Sequence, residues 1–241
     1  ELVRGQITKL RDKGGSRAMD WNKDGSLLAV GDLEGDIQIW DGQNQLVASK
    51  DNEYSSDSVG VSFLSLDWHP SEDYFVATNH SIHLFDSAAK TKNVFEHSNK
   101  QAIILSTAWH PSGRYFVVGD YGHNWEGENV PSLLHFWSSG GTLLRSVSGS
   151  DGEYRNLSWT SDGSKLASAS DVLRIWDRDG KLLHESPSNS INFLWGVDWS
   201  SDNAQIVTSS RFQEVKIWSD EGGLVRSTVL RPSLTSDKND P

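Results

Sequence analysis

The 241-residue chain contains no cysteine. Disulfides, thiolate zinc sites, iron–sulfur clusters and a cysteine nucleophile are thereby excluded. No apolar run approaches the ~20 residues that a membrane-spanning helix needs, and no signal-like apolar segment opens the sequence. A soluble, cytoplasmic protein with no membrane partner is therefore expected. Basic residues are few, 22 Lys and Arg against 33 Asp and Glu, for a formal net charge of −11. A field of that sign repels phosphate backbones, so no nucleic-acid partner is expected. Missing too are a Gly-rich phosphate loop, a His-Glu-x-x-His pair and a Gly-x-Ser-x-Gly elbow. The chain offers no recognisable catalytic apparatus, and the expectation is a non-enzyme with no cofactor.

What it has in excess is tryptophan, 11 residues in all, and these lead to an internal repeat. Trp21, Trp68, Trp109, Trp159 and Trp199 each close a similar short segment, at spacings of 47, 41, 50 and 40 residues. Each is followed by a turn rich in Pro, Asp, Asn and Gly, the residues hairpin turns demand. An apolar run comes next (Leu27–Val30, Tyr74–Ala77, Tyr115–Val118, Leu166–Ala169, Gln205–Thr208). A short loop then leads to an alternating strand ending in an aromatic: Ile37–Trp40, Ile82–Phe85, Leu134–Trp137, Leu173–Trp176 and Val215–Trp218. Such alternation is the period of a strand with one buried face, which places His83 and His135 toward solvent. A fourth short strand follows: Gln45–Ser49, Asn93–Glu96, Thr142–Val147, Lys181–Glu185 and Gly223–Thr228.

Five copies of this four-strand unit resemble the WD-repeat β-propeller family over nearly the whole chain. The resemblance implies an all-β fold with four-stranded antiparallel blades, each burying its faces against its neighbours. A single propeller domain is expected over residues 1–230, followed by a polar, disordered tail over 231–241. The family's Gly-His dipeptide before the first strand is missing. Its Asp–His–Ser–Trp hydrogen-bond network is therefore expected to be broken, with aromatic burial taking over. His69 and His110 share one repeat position, in Trp-His-Pro-Ser turns, and are assigned a common structural role.

Gly5–Leu10 is a sixth copy of the fourth strand. Either it or Gly223–Thr228 could complete the last blade. The reading adopted is a compact five-bladed ring, fewer than the seven most often seen in the family. The alternative is a piece of a larger or open propeller.

By resemblance, function concentrates at the end of the ring where the loops before the first strand gather with those between the second and third. Four residues before each repeat tryptophan stand Arg17, Leu64, Leu105, Arg155 and Trp195, a series bordering the channel mouth. Arg and Trp are the types most enriched at binding hot spots. The interval from first-strand Trp to third-strand aromatic is 19, 17, 28, 17 and 19 residues, so repeat three carries an insertion, Tyr121–Ser132. Tyr121 and Trp125 in that polar loop either fold back as a lid or contact a partner. A metal site from His123, Glu126 and Glu128 lacks any recognised spacing. Arg211 joins Asp32, Asn79, Asp120 and Ser170 in a polar rim.

The functional expectation is a scaffold that docks a protein or peptide segment, an acidic one suiting the two arginines, and acts as a monomer or a subunit of a hetero-complex. The alternatives are a lectin-like carbohydrate binder and an architectural subunit whose ring a partner completes.

Overall fold

A computed structural model of the chain describes residues 15–52, 62–97, 102–123, 127–150, 152–187 and 193–230. Among them there are five four-stranded antiparallel sheets and no helix, so no helix is long and apolar enough to cross a membrane. Blade one is β1 (Ser16–Trp21), β2 (Leu27–Asp32), β3 (Ile37–Asp41) and β4 (Leu46–Lys50). Blade two is β5 (Ser65–Trp68), β6 (Tyr74–Thr78), β7 (Ser81–Asp86) and β8 (Thr91–Glu96). Blade three is β9 (Ile104–Trp109), β10 (Tyr115–Asp120), β11 (Leu133–Ser138) and β12 (Leu143–Ser148). Blade four is β13 (Asn156–Trp159), β14 (Lys165–Ala169), β15 (Leu173–Asp177) and β16 (Leu182–Glu185). Blade five is β17 (Leu194–Trp199), β18 (Gln205–Ser210), β19 (Glu214–Ser219) and β20 (Leu224–Val229). In every sheet neighbouring strands are consecutive in sequence, joined by short hairpins except where Tyr121–Ser132 links β10 to β11.

The core lies between blades. Ala18, Ala29, Ile37 and Ile39 of blade one meet Phe63, Leu66, Trp68 and Phe75 ahead of and within blade two. Three further clusters of the same make-up fill the joints from blade two to blade five. In each, small aliphatic residues on the far face of one blade receive the aromatics of the next. The turns after the first strands tie two of these joints together. His69 Nδ1 accepts the backbone N–H groups of Ser71 and Glu72, which leaves Nε2–H to donate to the Gly113 carbonyl of blade three at 2.9 Å. His110 repeats the arrangement toward Gly163 of blade four, also at 2.9 Å. Both glycines hold φ near +70°, and a Cβ at either would collide with the histidine ring. The common structural role of the two histidines therefore has a geometric basis.

Two expectations need correction. Among the described residues the sheets are not closed into a ring: neighbouring blades pack in sequence from one to five. Of the two candidate closing strands, β20 pairs with β19 and completes blade five, while Gly5–Leu10 lies outside the described residues, as does 231–241.

Second, His83 and His135 do not face solvent. Both faces of a third strand are covered by neighbouring blades, so alternation there separates the preceding blade from the following one, not inside from outside. His83 packs against Phe63 and Phe85, and burial, with help from His80 and Lys50, pushes its pKa down to about 4. His135, only 2% exposed, binds Ser146 Oγ through Nδ1 (2.7 Å) and Asp120 Oδ2 through Nε2 (3.1 Å). His97 Nε2 lies 3.1 Å from the other oxygen of the same carboxylate.

As expected, the hydrogen-bond network is not intact in the described blades, and only separate pieces of it remain. Blade three keeps the Asp120–His97 pair. Blades four and five keep the indole pair, Trp176 Nε1–H to Ser168 Oγ (3.0 Å) and Trp218 Nε1–H to Thr208 Oγ1 (2.9 Å).

Two outcomes follow for stability. Trp176, 1% exposed, fills the joint between blades three and four. Trp176→Ala should lower the unfolding free energy by roughly 3–5 kcal/mol in urea denaturation, and an unchanged midpoint would contradict the packing. Burial would raise the Asp120 carboxyl, but hydrogen bonds from His135 and His97 outweigh it and hold the pKa below the usual value. A depressed folded pKa contributes stability that is fully present above the unfolded carboxylate value of ~3.9 and is lost as pH falls through the folded value. Asp120→Asn should therefore cost about 1–3 kcal/mol at pH 7, with the two urea midpoints converging in stronger acid.

Candidate functional site

Each first strand starts beside the end of its second strand: Ser16 pairs with Asp32, Ser65 with Thr78 and Ile104 with Asp120. The loops between second and third strands therefore share one end with the starts of the first strands. At that end Arg17, Leu64, Leu105, Arg155 and Trp195 line a single cavity of about 570 Å³. All five members of the mouth series are brought together, one from each repeat. Three of them, Arg17, Leu105 and Trp195, are the extra residue where the first-strand register shifts against the second. A bulge of this kind unpairs one residue and re-aims its side chain, and bulges concentrate at rims and binding sites.

The chemistry of the mouth is cationic and aromatic. The Arg155 guanidinium sits 4.9 Å over the Trp195 ring, and its Nε donates to the Glu153 carboxylate. Glu153 is buried, so Arg155 is held in place by a carboxylate beneath it and an indole beside it. Trp195 remains 53% exposed. Arg17 is exposed, while Leu64 and Leu105 are half-buried. Glu153 escaped sequence reasoning, although it stands two residues before Arg155, because no other repeat has a carboxylate there.

Of the other candidates, the described ones, Tyr121 and Arg211, are not among the residues that line this cavity. Tyr121 is half-buried, with its ring edge-on to His123 at 5.2 Å and its backbone N–H on the Ile103 carbonyl. The insertion is closed at its base by a His123–Asn129 bridge and by Val130 N–H to the Gly122 carbonyl (3.0 Å). Trp125 and Glu126 lie outside the described residues. Arg211 is exposed, 6.0 Å from the Phe212 ring, and is not among the residues lining the cavity. The rim residues Asp32, Asn79 and Ser170 are buried and engaged in their own turns. Asp32 Oδ1 accepts two backbone N–H groups, Asn79 Oδ1 accepts that of Ser81, and Ser170 Oγ meets Asp171 and Arg174.

Among the described residues, one His/Asp group has the spacing to hold a cation: His97, Asp120 and His135, with ligand atoms within 4.8 Å of one another. Its ligand atoms already face one another, with His97 and His135 Nε2 each 3.1 Å from an Asp120 oxygen, which fits a structural tie between blades two and three. No linear motif announces it, because the three residues come from a blade-linking segment and two different strands. At the opposite end of the axis Asp20 Oδ2 accepts the Trp68 backbone N–H (2.9 Å), and the Asp67 carboxylate accepts that of Trp109. Burial raises the pKa of both carboxyls, and the charge of Asp20 lifts Asp67 further.

No curated protein matches the chain. The family model described as WD domain, G-beta repeat matches residues 6–41, a stretch ending with β3 of blade one. Repeats of this family generally mediate protein–protein interaction. That match, together with five four-stranded antiparallel sheets, is consistent with a WD-repeat protein.

Proposed function

We propose that the chain is a non-enzymatic scaffold whose mouth cavity docks an acidic segment of a partner protein. The observation that carries this reading is the convergence of one side chain per repeat, two Arg, two Leu and one Trp, on a cavity of about 570 Å³. The molecule carries a formal net charge of −11, so two arginines at one opening form a local exception to the global field. Arg17 is the more available cation, since Arg155 is already paired with Glu153. A carboxylate entering the cavity would meet Arg17 first, share Arg155 with Glu153, and lay an adjacent apolar group on Leu64, Leu105 or the free face of Trp195. Exposed aromatic area beside a guanidinium is the composition of a hot spot.

The test is an array of acidic, neutral and basic peptides, followed by titration of the best binder. Acidic sequences should dominate. Arg17→Glu should weaken the best binder about tenfold or more, in keeping with a lost charge-assisted contact, and Trp195→Ala by a similar factor. Both positions are at the surface, so circular dichroism should be unchanged. Equal binding by wild type and both variants would sink the mouth as the docking site.

A further inference from the structure

The five repeats act as internal controls for one another, and the polar residue at the end of the second strand breaks rank in blade three. In blade one Asp32 Oδ1 accepts the backbone N–H groups of Glu34 and Asp36, both at 2.9 Å. In blade two Asn79 Oδ1 accepts that of Ser81 at 2.8 Å. Each side chain thus caps its own tight turn. Asp120 holds the same place in blade three, but the Tyr121–Ser132 insertion replaces the tight turn it would cap. Among the described residues its carboxylate takes no backbone N–H. Its two oxygens face imidazoles instead, Oδ1 lying 3.1 Å from His97 Nε2 and Oδ2 lying 3.1 Å from His135 Nε2. The three side chains are 1–3% exposed.

Two imidazole nitrogens and one carboxylate oxygen form a donor set suited to zinc and its late divalent neighbours. Calcium and magnesium prefer oxygen ligands and are poorly matched. Neighbouring ligands of a tetrahedral zinc ion, each bound at about 2.0–2.2 Å, stand roughly 3.4 Å apart. Here both nitrogen–oxygen separations are 3.1 Å, and all the ligand atoms lie within 4.8 Å of one another. The two rings meet edge to face at 89°, with centroids 4.5 Å apart, so they approach the carboxylate from different directions. Outer support is present as well. Ser146, the register partner of His135, lies with its Oγ 2.7 Å from Nδ1. A hydroxyl accepting Nδ1–H leaves the Nε2 lone pair pointing at the carboxylate, the arrangement that metal-bound histidines adopt. Ser132 Oγ–H donates to the Asp120 carbonyl at 3.1 Å and holds the backbone of the central ligand.

We propose that His97, Asp120 and His135 form a zinc site that clamps the segment leaving blade two onto the second and third strands of blade three. The histidines bind as neutral imidazoles through Nε2, and the carboxylate binds ionised. Three protein ligands leave one place on a tetrahedral ion, which a water fills. Burial keeps substrates away from that place, so the ion is structural. Its charge offsets a buried carboxylate that has only the two imidazoles beside it, and its binding free energy adds to the stability of the joint. This inference is independent of the mouth reading.

The experiment refolds the full chain from urea with equimolar Zn2+, with Mg2+ or with neither, since so buried a site is best loaded during folding. After dialysis, bound metal is measured by mass spectrometry and affinity by competition with a chelator. One zinc ion per chain should be retained, magnesium should not, and the urea midpoint should rise with zinc alone. His97→Gln and His135→Gln should each weaken zinc binding about a hundredfold or more, and Ser146→Ala, which keeps all three ligands, about ten- to a hundredfold. His123→Gln, in the insertion, should leave affinity unchanged. Should circular dichroism show that the His97 and His135 variants do not fold, Ser146→Ala decides alone. The proposal is overturned by a chain that retains no zinc, by equal affinity in wild type and Ser146→Ala, by loss of binding in His123→Gln, by equal retention of magnesium, or by zinc uptake that leaves the urea midpoint where it was.

Discussion

The first-strand indole of blades two to five, laid on the far face of the blade before it, is the contact on which the rest of this molecule depends. Trp68 shows it in full: the ring packs into the cluster of blade one, its Nε1–H donates to the Asp20 carbonyl at 3.0 Å, and its backbone N–H donates to the Asp20 carboxylate. Trp199 repeats the indole bond to the Ser158 carbonyl at 3.1 Å. A single four-stranded sheet has two apolar faces and cannot cover either alone. Stacking on the next indole covers one face and orients the next first strand along the axis. Those strands in turn place the mouth residues.

Polar groups placed in these joints have to be satisfied there, which explains why the third strands carry such varied chemistry at one position. Gln38 accepts the Trp40 indole N–H, His135 pairs with Asp120, and Arg174 is clasped by Asp171 and Glu185. Blades one, three and four solve the same burial problem with different partners, while His83 of blade two packs between aromatic rings, so no uniform network runs through the repeats. The cost of leaving such a group unpaired is high enough to make the partners as necessary as the groups themselves.

Much of the fold was legible because hairpin-linked strands need only local signals: a turn of Asp, Asn, Pro or Gly, then alternation, then an aromatic. The mouth series was legible for a related reason. Once the repeats are aligned on their tryptophans, a position four residues upstream is the same position in space in every blade, and Arg17, Leu64, Leu105, Arg155 and Trp195 do converge. Alternation misled at His83 and His135, since a strand covered on both faces alternates between two neighbours and leaves none of its residues to water. The pinning of Arg155 by Glu153 and the meeting of His97 with Asp120 were not legible, because they depend on side-chain direction at strand ends.

The sequence by itself determined the repeat, the strand order within each blade, the aromatic content of the joints and the identity of the mouth residues. All of these follow from local periodicity and from equivalence between copies. Only the tertiary structure decided that the sheets of the described residues are not closed into a ring, that β20 completes blade five, and that Trp21 and Val207 are more exposed than their buried counterparts. Closure is the sum of small angles over four joints, and each angle is set by how particular side chains fill a joint. No local pattern in the chain records that sum.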